Sequence, residues 1–263
     1  MKLLTLNCHS WQEDHQLDKI NYLAKTIKEN DYDVIALQEV SQHMLGKQFK
    51  GQLKTDNYVV VLQEALQKLG VNHYEVVWDF AHIGFQVYEE GLCLLSKHPI
   101  IEEESFFVSQ TKDTLNWKSR RIVKATINYK GEEIDCYSCH LGWWEDEEEP
   151  AKLQLNKLNE KLHPKRRAFL LGDFNNNANV RDKGYDYMLG LGWKDTYMLA
   201  KDKDSGVTVQ GKIHGWEENA GGLRLDYIFT NQKVEVRSSK VIFNGSNKAV
   251  ISDHHGVQVE IEL

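Results

Sequence analysis

Proline is scarce in this 263-residue chain, with three in all, and no repeat, low-complexity tract or Pro/Gly/Ser-rich linker interrupts it. There is thus no break in composition at which to divide the chain. Large α/β sandwiches run to roughly 250 residues as one unit, so residues 1–263 are expected to form a single domain. Positive charge is also in short supply: 32 Lys and Arg against 39 Asp and Glu leave a net charge of −7. Affinity for a long polyanion rests on clustered cations that neutralise several phosphates, so nucleic acid is not the expected partner. The one dense basic run, Lys165-Arg166-Arg167, falls at a helix-to-strand junction, where a solvated turn is its simplest reading.

No apolar stretch approaches the ~20 residues that span a bilayer, and the first residues lack the apolar core and cleavage site of a signal peptide. A cytoplasmic protein without membrane association is expected. Cysteine is sparse as well, at four. Cys136-Tyr137-Ser138-Cys139-His140 has the C-x-x-C-H spacing of haem attachment, but the segment alternates like a strand. Its two cysteines then face opposite sides of a sheet, which suits neither a shared haem nor a disulfide. Cys8 and Cys93 have no partners at zinc-site spacing. All four are expected to be reduced thiols.

The segments that are present alternate between strands and helices. Leu3–Leu6 reads as a strand, Leu17, Ile20, Leu23, Ala24 and Ile27 follow helical spacing, and Val34–Leu37 is a buried strand. Residues 58–69 form a helix closed by Gly70, followed by strands at 74–80 and 91–96 and a strand-rich middle. Residues 121–129 and 132–140 make a hairpin across Lys130-Gly131. The acidic run 145–149 before Pro150 reads as the first turn of a helix that carries Leu153, Leu155, Leu158 and Leu162. Strands at 168–171, 226–230, 234–243 and 257–263 complete the sheet, while loops 46–56 and 201–222 have no readable pattern.

Hard-oxygen and imidazole groups recur where these apolar strands stop: Asn7, Glu39, Glu90, His140, Asp173 with Asn175, Asp226, and Asp253 with His254. Open α/β sheets bind ligands at such strand ends. Mg²⁺ takes one or two carboxylates and keeps waters and substrate oxygens, so a site built on Glu39 with carboxylate and amide neighbours suits it, whereas zinc would favour several His or Cys ligands. Phosphoester hydrolysis further requires a base for the attacking water and donors for the phosphoryl charge. Asp173, Asn175 and the two histidines can supply them.

In their order and spacing, Leu6-Asn7, Leu37-Gln38-Glu39-Val40, Glu90-Gly91, Ser138-Cys139-His140-Leu141, Gly172-Asp173-Phe174-Asn175, Leu225-Asp226-Tyr227-Ile228 and Ser252-Asp253-His254-His255 resemble the successive motifs of the endonuclease/exonuclease/phosphatase superfamily. The resemblance implies a four-layer, DNase I-like α/β sandwich: two mixed sheets flanked by helices, with a site for Mg²⁺, or Mn²⁺ in its place, at one end. It implies Glu39 as metal ligand, Asn7 as ligand or hydrogen-bond partner, and Asp253 completing the metal environment. Asp173 would orient or deprotonate the attacking water. Asn175 would hold a phosphate oxygen, His254 would be oriented by Asp226, and His140, paired with Glu90, would be a second phosphate-contacting histidine. His255, on the opposite side of the chain from His254, is assigned to structure.

Substrate is read from less. Arg120 either forks onto a phosphate or sits at the surface, and Trp11, Trp117, Trp143, Trp144 and Trp216 are either pocket walls or packing. Trp143 and Trp144, just past His140, are taken with Arg120 as substrate-binding. The opening Leu6–Trp11 is similar to a bacterial branch of the superfamily that includes maltose 6′-phosphate phosphatases, which implies a phosphorylated sugar as substrate. A nuclease or a sphingomyelinase-like phosphodiesterase on the same scaffold is the alternative, and a binding protein that has lost catalysis is disfavoured by the intact residue set.

Overall fold

The computed structural model describes residues 1–263. The chain opens β1 (Lys2–Asn7), α1 (Gln16–Asn30), β2 (Val34–His43), the small hairpin β3 (Gln48–Lys50) and β4 (Leu53–Lys54), and α2 (Tyr58–Lys68). Five strands follow: β5 (Glu75–Gly84), β6 (Tyr88–Ser96), β7 (Ile100–Phe107), β8 (Arg121–Tyr129) and β9 (Glu132–His140). Then come α3 (Ala151–Glu160), β10 (Arg167–Asp173), α4 (Gly184–Gly190), β11 (Lys194–Asp195), α5 (Thr196–Leu199), β12 (Asp202–Lys203), β13 (Val209–Gln210) and β14 (Gly222–Leu223). The chain ends in β15 (Asp226–Thr230), β16 (Glu235–Ile242) and β17 (Gly256–Glu262).

Two mixed sheets result. One has the order β12-β16-β17-β1-β2-β6-β5, the other β11-β15-β10-β9-β8-β7. The pair β1/β2 is parallel and linked by α1; β9/β10 is parallel and linked by α3. Strand alternation sorts the side chains into three layers of core. Leu4 and Leu6 join Ile20, Leu23, Ala24 and Ile27 of α1. Leu3 turns the other way and meets Phe169, Leu171, Cys136 and Ile228 between the sheets. Leu170, Tyr137 and Cys139 pack beneath α3 and α4 against Leu155, Leu158 and Met188. This is the four-layer, DNase I-like α/β sandwich. Cys136 and Cys139 lie in different layers, and all four cysteines are free and buried.

Local signals act as expected in several places. Asn57 caps α2 by accepting from the Val59 N–H at 2.9 Å, and Gly70 ends it at a φ of 79°. Lys130 and Gly131 carry φ values of 53° and 91°, the two positive angles of a tight hairpin that matches strand twist. Elsewhere the structure corrects the sequence reading. Leu17 follows the helical period yet is 59% exposed, in the first turn of α1, which starts at Gln16. The acidic run is not the first turn of α3, which begins after Pro150. Glu149 instead accepts the Gln110 and Thr111 N–H groups, at 2.7 Å each, and Asp146 accepts from Glu148 N and Lys118 Nζ. The run therefore ties down the loop between β7 and β8. The basic run lies at the start of β10, at the far end of that strand from Asp173, where Arg166 pairs with Glu102 and Glu133, Arg167 pairs with Glu132, and Lys165 is exposed. No helix is long and apolar enough to cross a membrane.

Candidate active site

The site forms where the core between the sheets runs out. On each central strand the face that carries apolar side chains inside turns polar at the strand end: Leu3 then Asn7, Leu171 then Asp173, Cys136 then His140, and Ile228 back to Asp226. A buried polar layer marks the transition. Thr5 donates to Gln38, Gln38 Nε2 donates to Ser138 Oγ at 3.1 Å, and Ser138 Oγ donates to the Leu37 carbonyl at 3.1 Å. In the second sheet the register sets Asp173 opposite both His140 and Asp226, so three side chains stand abreast. Gly172 permits that register, since a Cβ there would stand 1.9 Å from the Cys139 carbonyl oxygen.

Glu39 does not end its strand, as the sequence suggested; β2 continues to His43. Glu39 lies where the pairing with β6 shifts register between Leu37 and Val40, with φ at 53°. A bulge of this kind re-aims a side chain without ending the strand. Ser10 locks it, its hydroxyl donating to the Glu39 carbonyl and accepting from Ser41 N at 2.8 Å. Asn175 is likewise left-handed, at 50°, with its N–H on Asp173 Oδ1 at 2.8 Å.

Asn7 joins the two sheets: its Nδ2 donates to Glu39 Oε1 at 2.8 Å and to Asp173 Oδ2 at 3.2 Å, while its Oδ1 accepts the His9 N–H. The Asn7 amide oxygen is thus engaged and its nitrogen faces two carboxylates. His254 Nδ1 meets Asp226 Oδ2 at 3.0 Å, and its Nε2 lies 3.7 Å from Asp173 Oδ2. His140 Nε2 approaches the same oxygen at 3.7 Å and Glu39 Oε1 at 4.0 Å. The expected Glu90–His140 pair is not formed. Glu90 shares a cluster with Glu39 and His140, but the imidazole nearest its carboxylate is His82, with Nε2 3.4 Å from Oε1. Asp253 groups with His9 and Glu13 rather than with Glu39.

Burial shapes the charges. It pushes Asp173 up to about 7, with the neighbouring Asp226 adding and His254 opposing. Glu39 also rises to about 7, through burial and then repulsion from Glu90 and Asp253. Burial alone would make His254 neutral, but Asp226 and Asp173 overcome it and hold its pKa well above the usual imidazole value. His140, buried beside Arg120, His82 and His254, goes well below that value and is neutral. Burial and then Arg120 take His82 down to about 3. The two histidines that flank Asp173 are thus shifted in opposite directions.

A cavity of about 850 Å³ opens over these groups. Glu39, Glu90, Arg120, His140, Trp143, Asp173, Asn175, Asp253 and His254 line it. Asn7 and Asp226 stand behind the lining. Trp144 does not reach the cavity; it packs on Tyr187 of the helix layer at 5.4 Å, where the chain turns after Trp143. Trp11 belongs to the α1 side, its indole donating to the Ser41 carbonyl. Arg120 is buried, with its guanidinium over the Trp143 ring and its Nε without a partner. Sequence reasoning missed His9, Glu13, His82 and His214. His82 could have been found by extending the 74–80 strand: β5 runs on through a register shift between Phe80 and His82, which turns that imidazole into the site.

The donor set fits a hard divalent cation. Glu39, Glu90 and His140 present ligand atoms within 4.8 Å of one another, and burial followed by the neighbouring carboxylates disfavours the Glu39 charge, a cost that a dication would relieve. Glu39 would be its main anchor.

The sequence pattern of the Endonuclease/Exonuclease/phosphatase family matches residues 4–254. No curated protein sequence matches the chain. Among solved structures, an endonuclease/exonuclease/phosphatase family protein from Leptotrichia buccalis C-1013-b is 41% identical, with a TM-score of 0.95 and 100% of both chains covered. The mannosyl-6-phosphatase from Bacteroides thetaiotaomicron VPI-5482 is 18% identical, with a TM-score of 0.69 and 100% of both chains covered. Truncated TDP2 from Caenorhabditis elegans is 16% identical, with a TM-score of 0.63 over 100% of this chain and 97% of that one. The last two similarities bear on the fold alone.

Proposed function

Because the chain belongs to the endonuclease/exonuclease/phosphatase family and is a phosphoesterase, we propose that it hydrolyses small phosphomonoesters, and phosphorylated sugars such as maltose 6′-phosphate in particular, with Mg²⁺ or Mn²⁺. One observation carries the reading. Of the 20 residues that line the cavity, Arg120 is the only Lys or Arg, while Met44, Phe85, Leu115, Trp117, Trp143 and Ile213 supply apolar and aromatic walls. A nucleic acid would need several cations along its backbone. A single phosphate needs one fork and a few fixed donors, and flat rings suit sugar faces.

In this account the phosphate sits at the floor, between Arg120 and the His140–Asp173–His254 row. Arg120, buried and with an unpaired N–H, donates to two phosphate oxygens. Asn175 donates through its amide nitrogen. Asp173 takes the proton of the attacking water, for which Asn7 on its Oδ2 and the Asn175 N–H on its Oδ1 hold the carboxylate in place. His254, cationic through Asp226, donates to a phosphate oxygen and stabilises the charge that develops there. His140, neutral, offers either a donor or an acceptor to the same group. The proton is shared within the Asp173–His254–Asp226 chain, so acid and base are properties of the set. A divalent cation, when bound at Glu39, would withdraw charge from the phosphoryl and leaving oxygens.

The test is a panel of substrates assayed for released phosphate: disaccharide and monosaccharide phosphates, p-nitrophenyl phosphate, single-stranded DNA and sphingomyelin. Sugar phosphates should lead by kcat/KM. Faster cleavage of DNA or sphingomyelin would overturn the choice of substrate while leaving the phosphoesterase assignment in place.

A further inference from the structure

The segment 211–221 is stationed over the site, and it is more than a wall. Its base is the two-stranded pairing of Val209–Gln210 with Gly222–Leu223, and Asn219 closes it from within through its side chain to the Gly211 and Gly221 carbonyls. Ile213 and His214 reach the cavity. Trp216 turns inward instead, with its ring on the small cluster of Val209, Leu223 and Leu225, next in sequence to Asp226. Its indole N–H donates to Asn175 Oδ1 at 3.2 Å. The other end of that amide, Nδ2, donates to the Leu141 carbonyl at 2.9 Å.

Those two contacts have a joint consequence. An asparagine amide can turn over and exchange its oxygen for its nitrogen. With the indole donor on Oδ1 and the carbonyl acceptor on Nδ2, only one orientation satisfies both, and it leaves the second Nδ2 proton for a ligand. In the reverse orientation two donors and two acceptors would face each other. Phe in place of Trp216 would keep the ring on its cluster and remove one of the two restraints, leaving the amide held by the Leu141 carbonyl alone.

We propose that Trp216 is a positioning residue for the reaction: together with the Leu141 carbonyl it fixes the Asn175 amide, so that the phosphate-holding donor is held from both ends when the 211–221 segment is seated on the site. The seat itself is recognisable. Gly215 has a φ of 80° and lies flat against Trp143, so that a Cβ there would stand 2.6 Å from Trp143 Cζ2. Trp143 in turn packs edge-on against Trp117 at 5.9 Å. The aromatic wall and the amide are therefore set by one segment, which links the part of the cavity that meets the sugar to the part that holds the phosphate.

This inference rests on the reading of the site as a phosphomonoesterase. Two variants break the link from different sides: Trp216→Phe removes the donor, and Gly215→Ala lifts the segment from Trp143. Each should lower kcat on p-nitrophenyl phosphate by about five- to tenfold, the effect of one hydrogen bond, with KM changed by less than about twofold. Thermal melting of Trp216→Phe should be near that of the unaltered protein, whereas Gly215→Ala, at a positive φ, should melt somewhat lower. In an Asn175→Ala background, where there is no amide to orient, Trp216→Phe should have no further effect. Full activity of both variants would overturn the inference, as would an undiminished loss from Trp216→Phe in the Asn175→Ala background. Absence of phosphate release by the unaltered protein from any monoester would instead overturn the proposed function.

Discussion

Replacing Asp226 by Asn isolates the role of one buried charge. Asp226 is 1% exposed; its Oδ2 accepts from His254 Nδ1 at 3.0 Å, and its Oδ1 has no partner. Asn retains an acceptor for the imidazole and almost the same volume, so the change removes the charge and little else. Burial then acts on His254 with only Asp173 and the more distant Asp253 to oppose it. A hydrogen bond to a charged group contributes about 1.5–3 kcal/mol. If that support is exerted on the cationic His254 in the transition state, kcat should fall roughly 10- to 150-fold, with KM nearly unchanged. The assay is steady-state release of phosphate from a sugar phosphate at saturating Mg²⁺, with circular dichroism to check the fold. A kcat within twofold of the unaltered protein would refute the assignment of His254 as a charge supported by Asp226. An equal rise in KM would mean that the charge serves binding of the ground state instead.

Further predictions concern other parts of the molecule. Phe169, fully buried between the sheets, should lose about 3–5 kcal/mol of stability as Ala, measured by urea unfolding; a loss under 1 kcal/mol would mean that the two sheets do not share a packed core there. His82 has a folded pKa of about 3, lower than its unfolded value near 6.5. Between those values the unfolded chain binds the proton and the folded one does not, so stability falls as pH falls, by up to about 1.4 kcal/mol per pH unit. His82→Gln should therefore close its stability gap with the unaltered protein as pH drops from 6.5 toward 4, and parallel curves over that range would refute the neutral buried imidazole.

Much of the site was legible because sheet geometry writes it into the sequence. Leu3, Leu171 and Cys136 stand two or four residues before Asn7, Asp173 and His140 and share their faces, so each polar ending of an apolar alternation marks the same edge of the sandwich. What could not be read depends on distortions and on distant contacts. Glu39 is aimed by a bulge whose lock, Ser10, comes from another loop, and His82 enters the site through a second bulge in β5. Trp144 shows the converse: nearness in sequence to His140 said nothing about direction, and one residue of offset from Trp143 put it in the helix layer. Trp216 lies in a segment without hydrophobic period, and its partner Asn175 is 41 residues away. The acidic run likewise found partners in the loop between β7 and β8, far along the chain, rather than in the helix that follows it.

The central claim is that a cation held at Glu39 and a carboxylate at Asp173 together hydrolyse a small phosphomonoester. The most direct measurement is phosphate release from a disaccharide phosphate by the unaltered protein and by Asp173→Ala, each with Mg²⁺ and with excess chelator. The account predicts turnover by the unaltered protein with Mg²⁺, its abolition by chelator and recovery when Mg²⁺ is restored, and a loss of at least about 10²-fold in the variant. Turnover that survives the chelator, or an Asp173→Ala variant as active as the unaltered protein, would contradict it.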